Sequence, residues 1–224
     1  KDSDTLKIVD YTLKRDKTII NFKYNNKTYE VISPLLGSFN VDNLAAAVLS
    51  LLCKNISFEE IIRRVRQIKQ IEGRMEILPF VSKYTVILDY AHTTDALDNI
   101  LTFLDMVKET RIITVTGSAG GREKTKRPGM GKVVLEKSDY VIFTMDDPRY
   151  EDPNQIIDDL ISESNKTNYE RIVDRKEAIY KALDIAKDKD IVLIAGKGRD
   201  DYMAIDDKYL PYCDYDVIKS YYEQ

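Results

Sequence analysis

Four short motifs in the second half of this 224-residue sequence combine residue types that bind small charged molecules. In Asp89-Tyr90-Ala91-His92-Thr93-Thr94-Asp95 a carboxylate ends an apolar run and hydroxyls follow it. Such a carboxylate can hold a ribose or an attacking amine, while Thr94 or Asp95 can equally serve as a helix cap. His92, as a lone histidine, is more often structural than catalytic. The run Gly117-Ser118-Ala119-Gly120-Gly121 is followed closely by Arg122, Lys124, Lys126 and Arg127. Small residues let the backbone approach a ligand, amides ahead of a helix make an anion nest, and the cations suit an anionic substrate. The same run also reads as a flexible basic loop. It matches neither G-x-x-x-x-G-K-[ST] nor G-x-G-x-x-G.

In Asp146-Asp147-Pro148-Arg149-Tyr150-Glu151-Asp152-Pro153, two prolines fix the backbone around Arg149. The planar guanidinium of Arg149 can grip a carboxylate with two parallel hydrogen bonds, which suits amino-acid recognition. A solvated acidic turn capping the next helix is the alternative. In Ala195-Gly196-Lys197-Gly198-Arg199-Asp200 the glycines permit close approach, Asp200 is available to an ammonium group and Lys197 to an anion.

Each motif begins where a β-rich apolar run ends. The runs TVILDY, RIITVTG, YVIFT, RIVD and DIVLIAG alternate with helical periods near residues 94–108, 128–136, 154–163 and 175–186. Near-continuous apolar strands separated by helices specify a doubly wound, Rossmann-like α/β domain with a mostly parallel sheet. Ligands of such sheets sit beyond the carboxyl ends of the strands, where all four motifs fall. A last helix is expected over residues 214–222.

The first third has a different, α+β character. Alternating segments at 6–11, 18–24 and 27–32 read as hairpin strands. Leu44, Ala45, Val48, Leu51 and Leu52 recur at helical spacing, predicting a helix buried on one face. Ser57, with Glu60 three residues later, caps a second helix carrying Ile61, Ile62, Val65 and Ile68.

Composition narrows the function classes. Apolar residues make up 43% and charged residues 32%, which excludes a wholly disordered chain. With 34 Lys+Arg against 38 Asp+Glu, the broad positive field of a nucleic-acid binder is missing. Cys53 and Cys213 lie far apart and His92 is the single histidine, so neither a disulfide framework nor a structural zinc site is favoured. No apolar run approaches the roughly 18 residues that span a bilayer, and the start lacks a signal-peptide core. The expectation is a cytoplasmic protein with no nucleic-acid or membrane partner and no protein-ligated metal; no motif speaks to oligomeric state.

Six segments in this order, GSFNVDNLAAA, EGRME, DYAHT, GSAGGREKTKRP, DDPRYEDP and AGKGRD, resemble the Mur ligase family of ATP-dependent amide ligases. The likeness is greatest to the branch that adds diaminopimelate or lysine to UDP-MurNAc-L-Ala-D-Glu in peptidoglycan synthesis. It implies that residues 1–73 are the last part of a central ATP-binding domain and 74–224 a C-terminal domain, with ATP and Mg2+ as cofactors of the complete enzyme. It also implies a nucleotide site at Asn40, Asn43, Arg74, Asp89 and His92. An amino-acid site would comprise Arg122, Asp146, Asp147, Pro148, Arg149, Gly196 and Asp200.

Two departures bear on the incoming amino acid. The diaminopimelate-adding enzymes typically show Asp-Asn-Pro-Arg, where this sequence has Asp147 in place of the Asn, and Arg199-Asp200 stands where His-Glu is usual. Arg149 favours a second carboxylate, hence diaminopimelate, whereas Asp147 beside it is expected to neutralise that arginine in part or to attract an ammonium group. The family's G-T-[NG]-G-K-[ST] phosphate loop does not occur in the sequence, so the chain is expected to be a piece of a larger ligase and inactive alone. The competing expectations are a Mur-like paralogue such as folylpolyglutamate synthetase and a non-catalytic binding protein.

Overall fold

The computed structural model describes residues 6–81 and 83–223, and these fall into two compact units that meet in sequence between residues 70 and 71. In the first, strands β1 (Lys7–Leu13), β2 (Thr18–Tyr24) and β3 (Lys27–Ser33) form an antiparallel sheet in that order. Asn25 and Asn26 both take positive φ, +48° and +59°, the conformation a two-residue hairpin between right-twisted strands requires. Alternate residues of β2, Thr18, Ile20 and Phe22, are buried. Helices α1 (Phe39–Leu52) and α2 (Phe58–Val65) complete that core with Val41, Leu44, Val48, Phe58 and Ile61.

The buried stripe of α1 is narrower than its apolar spacing suggested. Leu51 is exposed, and Ala45 and Leu52 are only partly buried, so the seam runs through Val41, Leu44 and Val48 alone. Ser57 caps α2 as expected, its hydroxyl accepting from Glu60 N at 3.3 Å. The Glu60 carboxylate turns to Arg63 and Arg64 and does not close the capping box.

The second unit is built on a six-stranded sheet in the order β4-β5-β9-β6-β7-β8. Its strands are β4 (Glu76–Ile77), β5 (Thr85–Asp89), β6 (Ile112–Thr116), β7 (Tyr140–Phe143), β8 (Tyr169–Arg171) and β9 (Ile191–Ala195). Only β4 is antiparallel to its neighbour. Every residue of β6 and β9 is buried, as strands covered on both faces demand. Val86, Leu88, Ile113, Val115, Ile142, Val192 and Ile194 share one face with Ala178, Ile179 and Leu183 of α6 (Arg175–Ile185) and Ile218 of α7 (Asp214–Tyr222). Ile87, Ile112, Phe143 and Leu193 alternate with them and belong to the other face. Helices α3 (Thr94–Val107), α4 (Lys126–Lys137) and α5 (Pro153–Ile161) pack side by side. Gly131 brings α4 against α5 so closely that a Cβ there would lie 1.7 Å from the Leu160 carbonyl oxygen.

Three features differ from the sequence expectation. The helix after β5 is capped by Thr93, whose hydroxyl accepts from Ala96 N at 3.3 Å, and not by Thr94 or Asp95, which already lie inside it. The strand expected at 171–174 pairs two residues earlier, at Tyr169–Arg171. A hairpin of β10 (Tyr202–Ile205) and β11 (Lys208–Pro211) occupies a stretch for which no element was expected.

Candidate functional site

The loops that leave β5, β6, β7 and β9 lie together because those strands are adjacent and parallel. Close approach is built into them. A Cβ on Gly117 would meet Thr144 O at 2.2 Å, one on Gly120 would meet Pro148 O at 1.9 Å, and one on Gly196, with φ +118°, would meet Asp146 Oδ2 at 2.4 Å. These contacts bring Asp146, Asp147, Pro148, Arg149, Gly196 and the glycine loop of β6 into one region.

The carboxylates there are unequally satisfied. Oδ1 of Asp147 accepts from Lys197 Nζ at 2.8 Å and from Ala204 N at 2.9 Å. Lys197 is fully buried, lies 3.8 Å from Asp200 Oδ2 and 5.0 Å from the centre of the Tyr202 ring. The expectation that Lys197 serves an anionic ligand is therefore corrected: its ammonium holds Asp147. Asp147 in turn faces Lys197 and the β10 backbone, so the expected partial neutralisation of Arg149 is not what its carboxylate does. Asp146 is 6% exposed and accepts no hydrogen bond from a described residue. Desolvation pushes its carboxyl above the ordinary range, against the opposing charges of Arg175 and Lys197. Asp200 is more open and is raised by desolvation too.

Arg149 is held in the left-handed region at φ +51°, with its N–H on Ala204 O at 3.0 Å and its carbonyl accepting from Asp206 N at 2.9 Å. Its Nη1 donates to Gly120 O at 2.7 Å. The β10–β11 hairpin thus fixes the Arg149 backbone while the glycine loop aims its guanidinium.

The anion nest expected in the glycine loop is occupied from within the chain. Glu151 accepts from Gly121 N at 2.7 Å, Lys124 at 2.9 Å and Arg127 at 2.9 and 3.1 Å. Arg127 is buried and also binds Asp159 at 2.8 Å. Its hydrogen bonds, foremost, hold the Glu151 carboxyl down at about 2. Of the four cations counted in the sequence, Arg127 and Lys124 serve Glu151, and Lys126 donates to His92 O at 2.9 Å. Arg122 lies on the exposed part of the loop.

The β5 loop is organised by Asp89. Its two oxygens accept from Met75 N and Ala91 N, each at 2.7 Å. Burial raises its carboxyl even so, the two amides pulling the other way. Arg74 is exposed and its guanidinium carbon lies 4.9 Å from the centre of the Tyr90 ring. His92 is exposed, with Nδ1 2.6 Å from Tyr90 O. In the first unit, Asn40 and Asn43 sit in the opening turns of α1; Asn40 Nδ2 donates to Leu36 O at 2.7 Å, and Asn43 Nδ2 reaches Asn40 Oδ1 at 3.2 Å.

Sequence reasoning missed Arg175. Fully buried, it donates to Asp214 at 2.9 and 2.8 Å, to Ala195 O at 3.0 Å and to Met145 O at 3.4 Å. Those carbonyls immediately precede Gly196 and Asp146, so Arg175 joins the ends of β7 and β9. Burial opposes its charge, and Asp214 outweighs that cost. Its partner lies 39 residues away, and no local spacing signals the pairing.

Among the described residues no group of three or more His, Cys, Asp and Glu side chains could hold a metal ion, and no helix is long and apolar enough to cross a membrane.

Comparison with known proteins gives a consistent picture. A family model described as "Mur ligase, glutamate ligase domain" matches residues 73–198. The chain is 39% identical over 202 residues to a UDP-N-acetylmuramoyl-L-alanyl-D-glutamate–2,6-diaminopimelate ligase of Rickettsia conorii, covering 89% of this chain and 42% of the relative. It is 39% identical over 226 residues to the protein so named in Aquifex aeolicus, covering 95% and 46%. A solved structure of a diaminopimelate ligase superposes with a TM-score of 0.70 at 31% identity, over all of this chain and 46% of that one. The chain thus spans less than half the length of these relatives.

Proposed function

The chain belongs to the Mur ligase family, and from that premise we propose that it is the carboxyl-terminal part of an ATP-dependent amide ligase that adds diaminopimelate to UDP-MurNAc-L-Ala-D-Glu in the cytoplasm. The observation that carries the reading is Arg149. Its side chain is fixed at one end by Gly120 O and its backbone is pinned on both sides by the β10–β11 hairpin, through Ala204 O and Asp206 N. A pre-aimed guanidinium suits a substrate carboxylate. Diaminopimelate has a second carboxylate to offer it, and lysine has none.

In the proposed reaction ATP phosphorylates the carboxylate of the D-Glu residue, releasing ADP. The amine of diaminopimelate attacks the acyl carbon, loses a proton and expels phosphate, leaving an amide. This chain's residues bind and orient. Arg149 and Arg122 take carboxylates of the incoming amino acid; Asp146 and Asp200 face its ammonium group. Asp147 shapes the loop through Lys197, and Gly196 leaves room for close approach. In the 71–224 unit, Arg74, Asp89 and His92 serve the nucleotide. Asp89 does so from a carboxylate already held by two amides, each oxygen retaining a lone pair for a hydroxyl donor. ATP and Mg2+ belong to the complete ligase, and no Mg2+ ligand is assigned to this chain.

The phosphate loop typical of the family does not occur in these 224 residues, so the chain alone is expected not to ligate. The test has two arms. Isothermal titration with meso-diaminopimelate and L-lysine, with Arg149→Ala as control, measures the amino-acid site, and the complete ligase is assayed for phosphate release with each amino acid. Diaminopimelate-dependent release that Arg149→Ala abolishes supports the proposal. Release driven equally by lysine, or ATP-dependent ligation by the 224-residue chain alone, overturns it.

A further inference from the structure

Arg199 belongs to the same loop as Gly196 and Asp200, yet its side chain turns toward the EGR segment. Nε donates to Glu76 Oε2 at 2.9 Å, and Nη2 bonds the other carboxylate oxygen. The guanidinium carbon lies 3.5 Å from the centre of the Tyr215 ring on α7. Held in this way, Glu76 Oε2 accepts from Gly73 N at 2.8 Å.

Gly73 is the pivot of the turn that carries Arg74. Its φ is +66°, Met75 follows at +47°, and Met75 N is tied to Asp89. Gly73 O accepts from Tyr90 N at 3.0 Å. The Tyr90 ring fills the space of two absent side chains: a Cβ on Gly73 would lie 2.3 Å from it and one on Gly198 2.7 Å. Arg74 stacks on that ring. A turn with two left-handed residues is costly without fixed partners, and the ion pair to Arg199 supplies one of them.

We propose that Arg199 is a positioning residue for the nucleotide. Through Glu76 it fixes the Gly73 turn and so presents Arg74 and Tyr90 as a cation–aromatic ledge against which the nucleotide's sugar lies. Arg199 itself does not touch the nucleotide. The loop after β9 would thus serve both substrates, with Gly196 and Asp200 on the amino-acid side and Arg199 holding the nucleotide side. The proposal rests on the assignment of Arg74 and Asp89 to the nucleotide.

The test compares Arg199→Ala, Arg199→Lys and Glu76→Gln in the complete ligase, with steady-state titrations of ATP and of diaminopimelate. Glu76→Gln keeps an acceptor for Gly73 N–H and removes the ion pair, so it reports even where Arg199→Ala does not fold. The expected result is a rise in KM for ATP of about tenfold with less than a twofold change for diaminopimelate, and partial rescue by Arg199→Lys. Both KM values rising together, or neither changing, overturns the proposal. A wild-type ligase that uses neither ATP nor diaminopimelate overturns the functional reading and this inference with it, whereas an active wild type with unaffected variants overturns this inference alone.

Discussion

The ammonium of Lys197 lies 2.8 Å from Oδ1 of Asp147, the lysine side chain fully buried and the aspartate 10% exposed. The pair joins the loop after β9 to the loop after β7. Removing one partner of a buried pair leaves the other charge uncompensated. Lys197→Met is therefore expected to destabilise the 71–224 unit by about 3–5 kcal/mol. Asp147→Asn keeps an oxygen that accepts from Lys197 and Ala204 N, and Asp200 at 3.8 Å and Asp146 still oppose the Lys197 charge, so it should cost less, about 1–3 kcal/mol. Urea unfolding followed by circular dichroism checks both; equal losses would show that the charge on Asp147 is itself required.

Glu151 links the glycine loop, α4 and α5 through Arg127. Its folded value of about 2 lies below the ordinary 4.5. A depressed carboxylate contributes stability that is fully present above its unfolded value and is lost as pH falls through the folded one. Wild-type stability should accordingly drop between about 4.5 and about 2 in part through this group. Glu151→Gln is expected to cost roughly 1–3 kcal/mol at neutral pH and to flatten the acid limb of the stability curve. Unfolding midpoints across that interval are the measurement, and an unchanged acid limb would refute the assignment.

Gly120 and Gly121 are adjacent and chemically alike, but the structure separates their roles. A Cβ at Gly120 strikes the Pro148 carbonyl at 1.9 Å, and backbone cannot yield as a side chain can. Gly120 also holds Asp147 O through its N–H and Arg149 through its carbonyl. Gly120→Ala should cost about 1–3 kcal/mol and displace Arg149, raising KM for diaminopimelate in the complete ligase. Gly121→Ala pays about 1 kcal/mol for its left-handed φ and meets only Arg149 Cδ, at 3.4 Å, so amino-acid use should survive. Indistinguishable KM values for the two variants would count against Gly120 as the support of Arg149.

What was legible in the sequence is local. The runs TVILD, IITVT, YVIF and IVLIA are nearly continuous in apolar and β-branched residues, and such short runs alternating with helical periods indicate strands covered on both faces. The strand-end rule then placed Asp89, Asp146, Arg149 and Gly196 in one region without any contact information. What remained hidden is pairing at a distance. Arg175 reads as one more helix-start residue until Asp214 is seen beside it. Lys197 reads as a cation for a ligand until Asp147 is seen. The β10–β11 hairpin was missed because its turn, with Asp206 at φ +51°, sits in a polar, tyrosine-rich stretch with no apolar alternation. The glycine loop's cations suggested an external anion because Glu151, which satisfies them, lies in a different motif.

Asp146 is the carboxylate whose environment fits folding least. It is buried and accepts no hydrogen bond from a described residue, and desolvation lifts its carboxyl above the ordinary 3.8 despite Arg175 and Lys197 nearby. With the folded value raised, the folded state binds the proton more tightly than the unfolded state, so stability declines as pH rises from about 3.8 through the folded value. Retaining such a group is understandable if a bound ammonium supplies the missing partner. Asp146→Asn is therefore expected to raise the unfolding midpoint at neutral pH, to remove this part of the pH dependence, and to weaken diaminopimelate binding. Saturating diaminopimelate should stabilise the wild-type complete ligase and not the variant, because only a ligand bound to the folded state shifts unfolding. Matched unfolding curves with and without the amino acid decide it: a variant that is less stable than wild type, or one that is stabilised equally by diaminopimelate, would show that Asp146 supports the fold and not the ligand.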